Sequence, residues 1–228
     1  MSSKKILART TVLVIALGTC LLHAGQANAS PPAGAIHAAM TVTSFNQTVA
    51  TQNGYKWVTP PDVGDAYVVK QADYTTCNNQ QGTTATRNSC YSAHKGVSPA
   101  DTIGGNCGDS YFYMSGSSGT SNRAYYYVSG FDNLPHEAIS YNWEVDVNGP
   151  NSYSHSDRFD GGLDFRSSWE TGTVSVPVST SGYYYGSVYG LNSIAVLFTG
   201  GVCFSTVLKP IATFTKVDNA IGPNEPTQ

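Results

Sequence analysis

Residues Ile139-Ser-Tyr-Asn-Trp-Glu-Val-Asp-Val147 constrain the fold more than any other stretch of the chain. Ile139, Tyr141, Trp143, Val145 and Val147 alternate with Ser140, Asn142, Glu144 and Asp146. In an extended chain successive side chains point to opposite faces, so this period of two predicts a strand with one face in a core and the other toward something polar. Asn148-Gly149-Pro150 ends it with a turn.

Shorter segments of the same kind flank it. Met40 to Phe45, Ala66 to Lys70, Tyr111 to Met114, Arg123 to Val128, Val174 to Val178, Gly182 to Tyr189, Ile194 to Phe198, Val202 to Leu208 and Ile211 to Val217 all read as strands. Pro177 places its strand at an edge or a bulge. Gly200-Gly201 is expected to be a two-residue hairpin turn, which sets Phe198 opposite Cys203. Residues 77 to 110 are poor in large apolar side chains and are expected to form a long loop. No apolar period of 3.6 is sustained anywhere past the N-terminal segment. The expected fold is all-β, an antiparallel β-sandwich of Ig-like or jelly-roll type.

The N-terminus has the layout of a signal peptide: a basic start (Lys4, Lys5, Arg9), an apolar run from Thr11 to Leu22, and Ala27-Asn-Ala29 as a small-x-small cleavage site. The expected organisation is therefore a signal peptide over 1–29, a flexible lead-in over 30–38, one β-sandwich domain over 39–217 and a disordered tail over 218–228. The localisation that follows is secreted and extracellular. Removing 1–29 leaves nine basic residues against 15 acids, a net charge of −6. That balance argues against nucleic acid and anionic lipid as partners. No second apolar segment is long enough to span a bilayer.

Four cysteines follow the presequence, Cys77, Cys90, Cys107 and Cys203. An even number in an exported chain points to two disulfides with three possible connectivities. The preferred pairing is a local clip, Cys77–Cys90, and a long-range tie, Cys107–Cys203.

Several groups of residues are candidates for chemistry. Glu144 and Asp146 project to one side of their strand, and paired carboxylates are what glycoside hydrolysis uses. The stretch resembles the Glu-x-Asp-x-Glu strand motif of laminarinase-type glycoside hydrolases of jelly-roll fold. Glu144 and Asp146 match it, and Asn148 stands at the third position. The resemblance implies that the residue protonating the leaving group is missing, unless Asp157 or Asp160 supplies it. Asp157, Asp160 and Asp164, with Gly161 and Gly162, are expected in an acidic loop that can offer oxygen ligands to Ca²⁺; no other cofactor is expected. His136-Glu137 resembles the start of a zinc-protease helix, with Ser140 where the second His belongs. Cys107-Gly-Asp-Ser110 resembles the Gly-Asp-Ser-Gly of serine proteases, with Tyr111 in place of the second glycine.

All 15 tyrosines lie past the presequence. Tyr125-Tyr-Tyr127 and Tyr183-Tyr-Tyr185 each send the middle ring to one face and the outer pair to the other. Rings on the open face of a sheet bury the apolar side of a sugar while the hydroxyl stays wet. Tyr126 and Tyr184, with Trp57, Trp169, Glu144 and Asp146, are the candidate ligand-binding residues. The expected function is a non-catalytic extracellular recognition or adhesion protein with glycan or cell-wall polymer as partner. The alternatives are a glycoside hydrolase using paired carboxylates and a purely structural secreted protein.

Overall fold

The computed structural model describes residues 31–59, 66–94, 99–116, 118–119, 125–178, 180–188, 192–206, 208–209 and 211–216, with backbone alone at 99, 116, 118–119, 125–126 and 211–216. The expected signal peptide and C-terminal tail lie outside the described residues.

In chain order the elements are β1 (Ile36–Phe45), α1 (Gln47–Gln52), β2 (Tyr55–Val58), β3 (Tyr67–Lys70), α2 (Gln71–Asn78), α3 (Thr84–His94), β4 (Asn106–Gly116), β5 (Ser118–Gly119) and β6 (Tyr125–Asp132). There follow β7 (Ala138–Asn148), β8 (Ser154–Arg166), β9 (Trp169–Glu170), β10 (Val174–Val176), β11 (Gly182–Val188), β12 (Ile194–Leu197), β13 (Gly201–Phe204) and β14 (Ile211–Lys216). Single 3-10 turns sit at Pro99–Asp101 and Pro150–Ser152.

β7 is the strand built on the alternating stretch, and it is the junction of the twelve-stranded main sheet. β8 pairs with it along its length on one edge. The other edge is shared end to end, with β12 on Ala138 to Asn142 and β11 on Val145 to Asn148. Two arms leave from there. One runs β12-β13-β1-β4-β6-β10 and the other β11-β14-β5. Since β5 follows β4 after one residue, both arms return to β4 and the sheet curls until it is nearly barrel-like. Each described pairing is antiparallel except β14 with β5. The fold is all-β and antiparallel, and both expected disulfides, Cys77–Cys90 and Cys107–Cys203, are formed.

The enclosed face carries the apolar half of each strand: Trp143, Val145 and Val147 from β7, Phe112 and Met114 from β4, Tyr127 and Phe131 from β6, Tyr184 and Val188 from β11. Each such large side chain taken out of water contributes roughly 1.5–3 kcal/mol. The core is closed where the outer edges of the curled sheet approach each other. Trp169 of β9 packs on Tyr141 (4.1 Å between centroids) and on Phe159 of β8 (5.9 Å). Beside it the Tyr127 hydroxyl donates to Asp157 Oδ2 at 2.6 Å. Burial and that carboxylate together push the Tyr127 phenol far above its ordinary range.

Three features differ from expectation. The alternation holds from Ser140 to Asn148, but a register shift between Ala138 and Ser140 makes Ile139 a bulge residue, and Ala138 takes the core position. The β12–β13 turn is longer than two residues: Ala195, not Phe198, faces Cys203. Gly200 N–H donates to Leu197 O across it, and Gly200 has φ +94°. A Cβ there would lie 2.6 Å from Ala50 Cβ and 2.8 Å from Asn46 O, so the turn seats on α1 only with glycine.

The third difference is the largest. Residues 77 to 110 are not a loop: they hold all of α3, the end of α2 and the start of β4. α2 and α3 form a hairpin against the two-stranded β2–β3 sheet, where Val58, Tyr67, Val69, Cys77 and Tyr91 make a second small core. The helices bury only Cys77, Asn88 and Tyr91, too few for an apolar stripe. The Cys77–Cys90 bond and a Tyr74–Tyr91 stack hold the pair instead.

The β4–β6 register sets Asp109 directly opposite Asp132. Burial, and then the neighbouring Asp109 carboxylate, raise the Asp132 pKa, while His37 acts the other way. A carboxyl whose pKa is raised by folding favours the native state when protonated, and that contribution is lost as pH rises through the folded value. Asp132→Asn is therefore expected to stabilise the protein at pH 7 by roughly 0.2–1 kcal/mol, the range for opposed like charges. The gain should vanish at pH values where wild-type Asp132 is protonated, as urea titrations at both pH values would show.

Candidate functional site

The outer face of β11, β7 and β8 gathers the polar half of the alternating stretch. On β11, Gly186 faces the core: a Cβ there would lie 2.4 Å from Met114 Sδ and 2.5 Å from Phe112 Cζ. That fixes the phase of the strand, with Tyr184, Gly186 and Val188 inward and Tyr183, Tyr185 and Ser187 outward. Tyr183 and Tyr185 are 61% and 52% exposed. Across the ladder Tyr185 lies opposite Asn148 and Ser187 opposite Asp146. β8 continues the rows, Ser154 opposite Asn148, Ser156 opposite Asp146, Arg158 opposite Glu144 and Asp160 opposite Asn142.

Tyr184, expected to display its ring, is 1% exposed. Its ring lies over Gly149, where a Cβ would come within 2.3 Å of it, and meets Tyr153 edge-on. Its hydroxyl donates to Thr180 O at 2.9 Å. The outer pair of the triplet takes the exposed role instead. The signal was in the sequence: Gly186 and Val188 set the inward phase two and four residues away. Trp169 is half-buried as the plug between the sheet edges, not an open platform. Trp57 is 38% exposed on β2 of the other sheet, 6.0 Å from Phe45. The Tyr126 side chain lies outside the described residues; its backbone pairs with Ser115 and Ser175.

Glu144 is 8% exposed and both its oxygens are engaged. Arg158 Nη2 donates to Oε1 at 3.3 Å and Asn192 Nδ2 to Oε2 at 2.5 Å. The Ser156 hydroxyl donates to Asp146 Oδ1. The two carboxylates are thus cross-strand partners of β8 and form part of a hydrogen-bonded polar surface.

The aspartates expected in a calcium loop belong instead to β8, a thirteen-residue strand. Asp157 turns inward to Tyr127 and to His155, whose Nε2 is 3.1 Å from the same oxygen. Asp160 is exposed on the opposite face. Asp164 lies past the glycines with φ +45°. Ligands for Ca²⁺ must converge, and these do not.

The protease-like fragments are also accounted for. The Ser110 hydroxyl is buried, donating to Ala38 O at 3.1 Å and accepting from Ser205 at 2.8 Å. His136 pairs with Asp101 at 3.2 Å. No family model, curated protein or solved structure matches this chain.

Two disulfides fit an oxidising, extracellular-type environment. Among the described residues no helix is long and apolar enough to cross a membrane.

Proposed function

We propose that the protein is exported and recognises an extracellular glycan or cell-wall polymer without catalysis, through the outer face of β11, β7 and β8. The observation that carries this reading is the pair of exposed rings, Tyr183 and Tyr185, on one strand beside a row of amides, hydroxyls and paired charges. Residues two apart on a strand are about 7 Å apart along it. Two rings at that spacing make a linear platform, which suits an extended polymer better than a small solute. The polar row supplies donors and acceptors for sugar hydroxyls: Asn148, Asp146, Ser156 and Arg158. The signal-like presequence, the two disulfides and the net charge favour an uncharged polymer outside the cell over nucleic acid or anionic lipid.

Retention of the purified protein on chitin, cellulose and peptidoglycan tests this. Wild type is expected to bind at least one of them. Tyr183→Ala/Tyr185→Ala is expected to weaken that binding about fivefold or more, since each lost aromatic face removes roughly 0.5–1.5 kcal/mol. Glu144→Gln is expected to leave retention in place, whereas a hydrolase working through Glu144 would lose turnover. No retention on any polymer would overturn the proposal.

A further inference from the structure

The α2–α3 hairpin places two pairs of metal-type donors face to face. Asp73 and Cys77 are four residues apart on α2, and Cys90 and His94 are four apart on α3. Side chains at that spacing share a helix face. The faces meet: the sulfurs of Cys77 and Cys90 and a ring nitrogen of His94 lie within 4.8 Å of one another. His94 Nδ1 is 3.6 Å from Asp73 Oδ1. Among the described residues this is the one grouping of three or more Cys, His, Asp or Glu ligand atoms so close together. In the oxidised protein both sulfurs are consumed by their mutual bond. Thiolate is the form that ligates metal.

We infer that reducing the Cys77–Cys90 bond turns this hairpin into a site for a thiophilic divalent cation such as Zn²⁺, with Cys77, Cys90 and His94 as ligands. The redox step consumes two equivalents of a small thiol. The protein S–S bond breaks, two cysteine thiols form, and the two small thiols leave joined as their own disulfide. Binding M²⁺ then releases the two cysteine protons. Two thiolates and one imidazole fill three positions of a tetrahedral site, and solvent takes the fourth. Nδ1 is the nitrogen nearer Asp73, at 3.6 Å, which leaves Nε2 for the metal; a small closure of that gap would let the carboxylate orient the ring as in carboxylate–histidine–zinc triads. Thiolate ligands select Zn²⁺ or Co²⁺ over Ca²⁺ and Mg²⁺.

The hairpin also has packing that does not depend on the sulfur bond. Tyr74 stacks on Tyr91 at 5.6 Å between centroids, and Val58, Tyr67 and Val69 pack with Cys77 and Tyr91. Disulfide and cation are then alternative staples for one pair of helices, chosen by the redox state around the chain.

The test uses the full chain reduced under native conditions, with Co²⁺ as probe and Zn²⁺ as competitor. One Co²⁺ per chain is expected, with the visible absorption of tetrahedral coordination and a thiolate charge-transfer band. Zn²⁺ should displace it, and oxidised protein should show neither band. Asp73→Ala should lower affinity about 10–100-fold, the usual effect of losing an outer partner of a metal-bound imidazole; His94→Ala should lower it further. Because reduction can also open Cys107–Cys203, alkylation with and without Zn²⁺ is mapped by mass spectrometry. Zn²⁺ should lower alkylation at Cys77 and Cys90 and leave alkylation at the buried Cys107 and Cys203 unchanged. Reduced protein that takes up no Co²⁺, shielding that is equal at all four cysteines, or shielding unchanged by His94→Ala would each overturn the inference.

Discussion

Trp143→Ala is expected to destabilise the fold by about 3–5 kcal/mol, the range for deleting a buried aromatic ring. Trp143 is wholly buried at the centre of β7, between Phe131 (5.6 Å) and Trp169 (6.1 Å). Its indole N–H donates to Ser129 Oγ at 2.9 Å, and that hydroxyl donates in turn to Tyr111 O at 3.0 Å. The substitution leaves a cavity and removes a buried donor at once. Domains of this size are stable by roughly 5–15 kcal/mol, so the variant should sit near the limit of folding. Trp143→Phe separates the two contributions. It keeps most of the ring and loses only the hydrogen bond, for about 1 kcal/mol beyond any small repacking cost. Urea midpoints of the three proteins, monitored by circular dichroism, check both values.

Removing the Cys107–Cys203 bond is the second large effect. The two sulfurs are wholly buried, and the cysteines are 96 residues apart in sequence. They tie β4 to β13, the two strands that flank β1. Chain entropy alone assigns a loop of that length about 4–5 kcal/mol, because the unfolded chain regains the freedom that the bond removed. Cys107→Ala/Cys203→Ala should therefore lower stability by about that amount. The Cys77–Cys90 bond spans a separation of only 13 residues, so Cys77→Ala/Cys90→Ala should cost less, about 3 kcal/mol. Its damage should stay near the helix hairpin, which has its own small core. Thermal melts of the two double variants, compared with wild type at equal concentration, measure the difference.

The parts of this fold that could be read in the sequence are those where one face is apolar and the other polar. β7 is the clearest, since Trp143, Val145 and Val147 go inward and Glu144 and Asp146 outward as their spacing requires. The existence of two disulfides was also legible from four cysteines in an exported chain, whereas spacing left three connectivities open and the preferred one is the one formed. β8 was misread because it is an outermost strand with polar residues on both faces: inward Asp157 meets the Tyr127 hydroxyl and the His155 ring, and outward Ser156 and Arg158 meet the β7 carboxylates. Charged side chains are a common feature of such edges, and here they imitate a metal-binding loop. α2 and α3 were invisible to periodicity because a covalent bond and one ring stack replace an apolar stripe. Thr75 and Thr76 further blur the pattern. Both are poor helix formers by propensity, yet their hydroxyls donate back to Gln71 O and Ala72 O.

The candidate face was half legible. Its polar row follows directly from the alternation, but the aromatic part depends on the phase of Tyr183-Tyr-Tyr185. Three like residues in a row carry no phase of their own. Gly186 decides it, because only a residue without a side chain fits against Met114 and Phe112. The same cause makes Tyr184 a core residue, leaving Tyr183 and Tyr185 as the exposed rings.

Tyrosine nitration of the folded protein, mapped by mass spectrometry with and without a retained polysaccharide, tests the recognition face most directly. Free protein should be modified at Tyr183 and Tyr185 and spared at Tyr184, and bound polymer should shield both exposed rings. Modification of Tyr184 in the native state, or rings that react equally with polymer present, would contradict it.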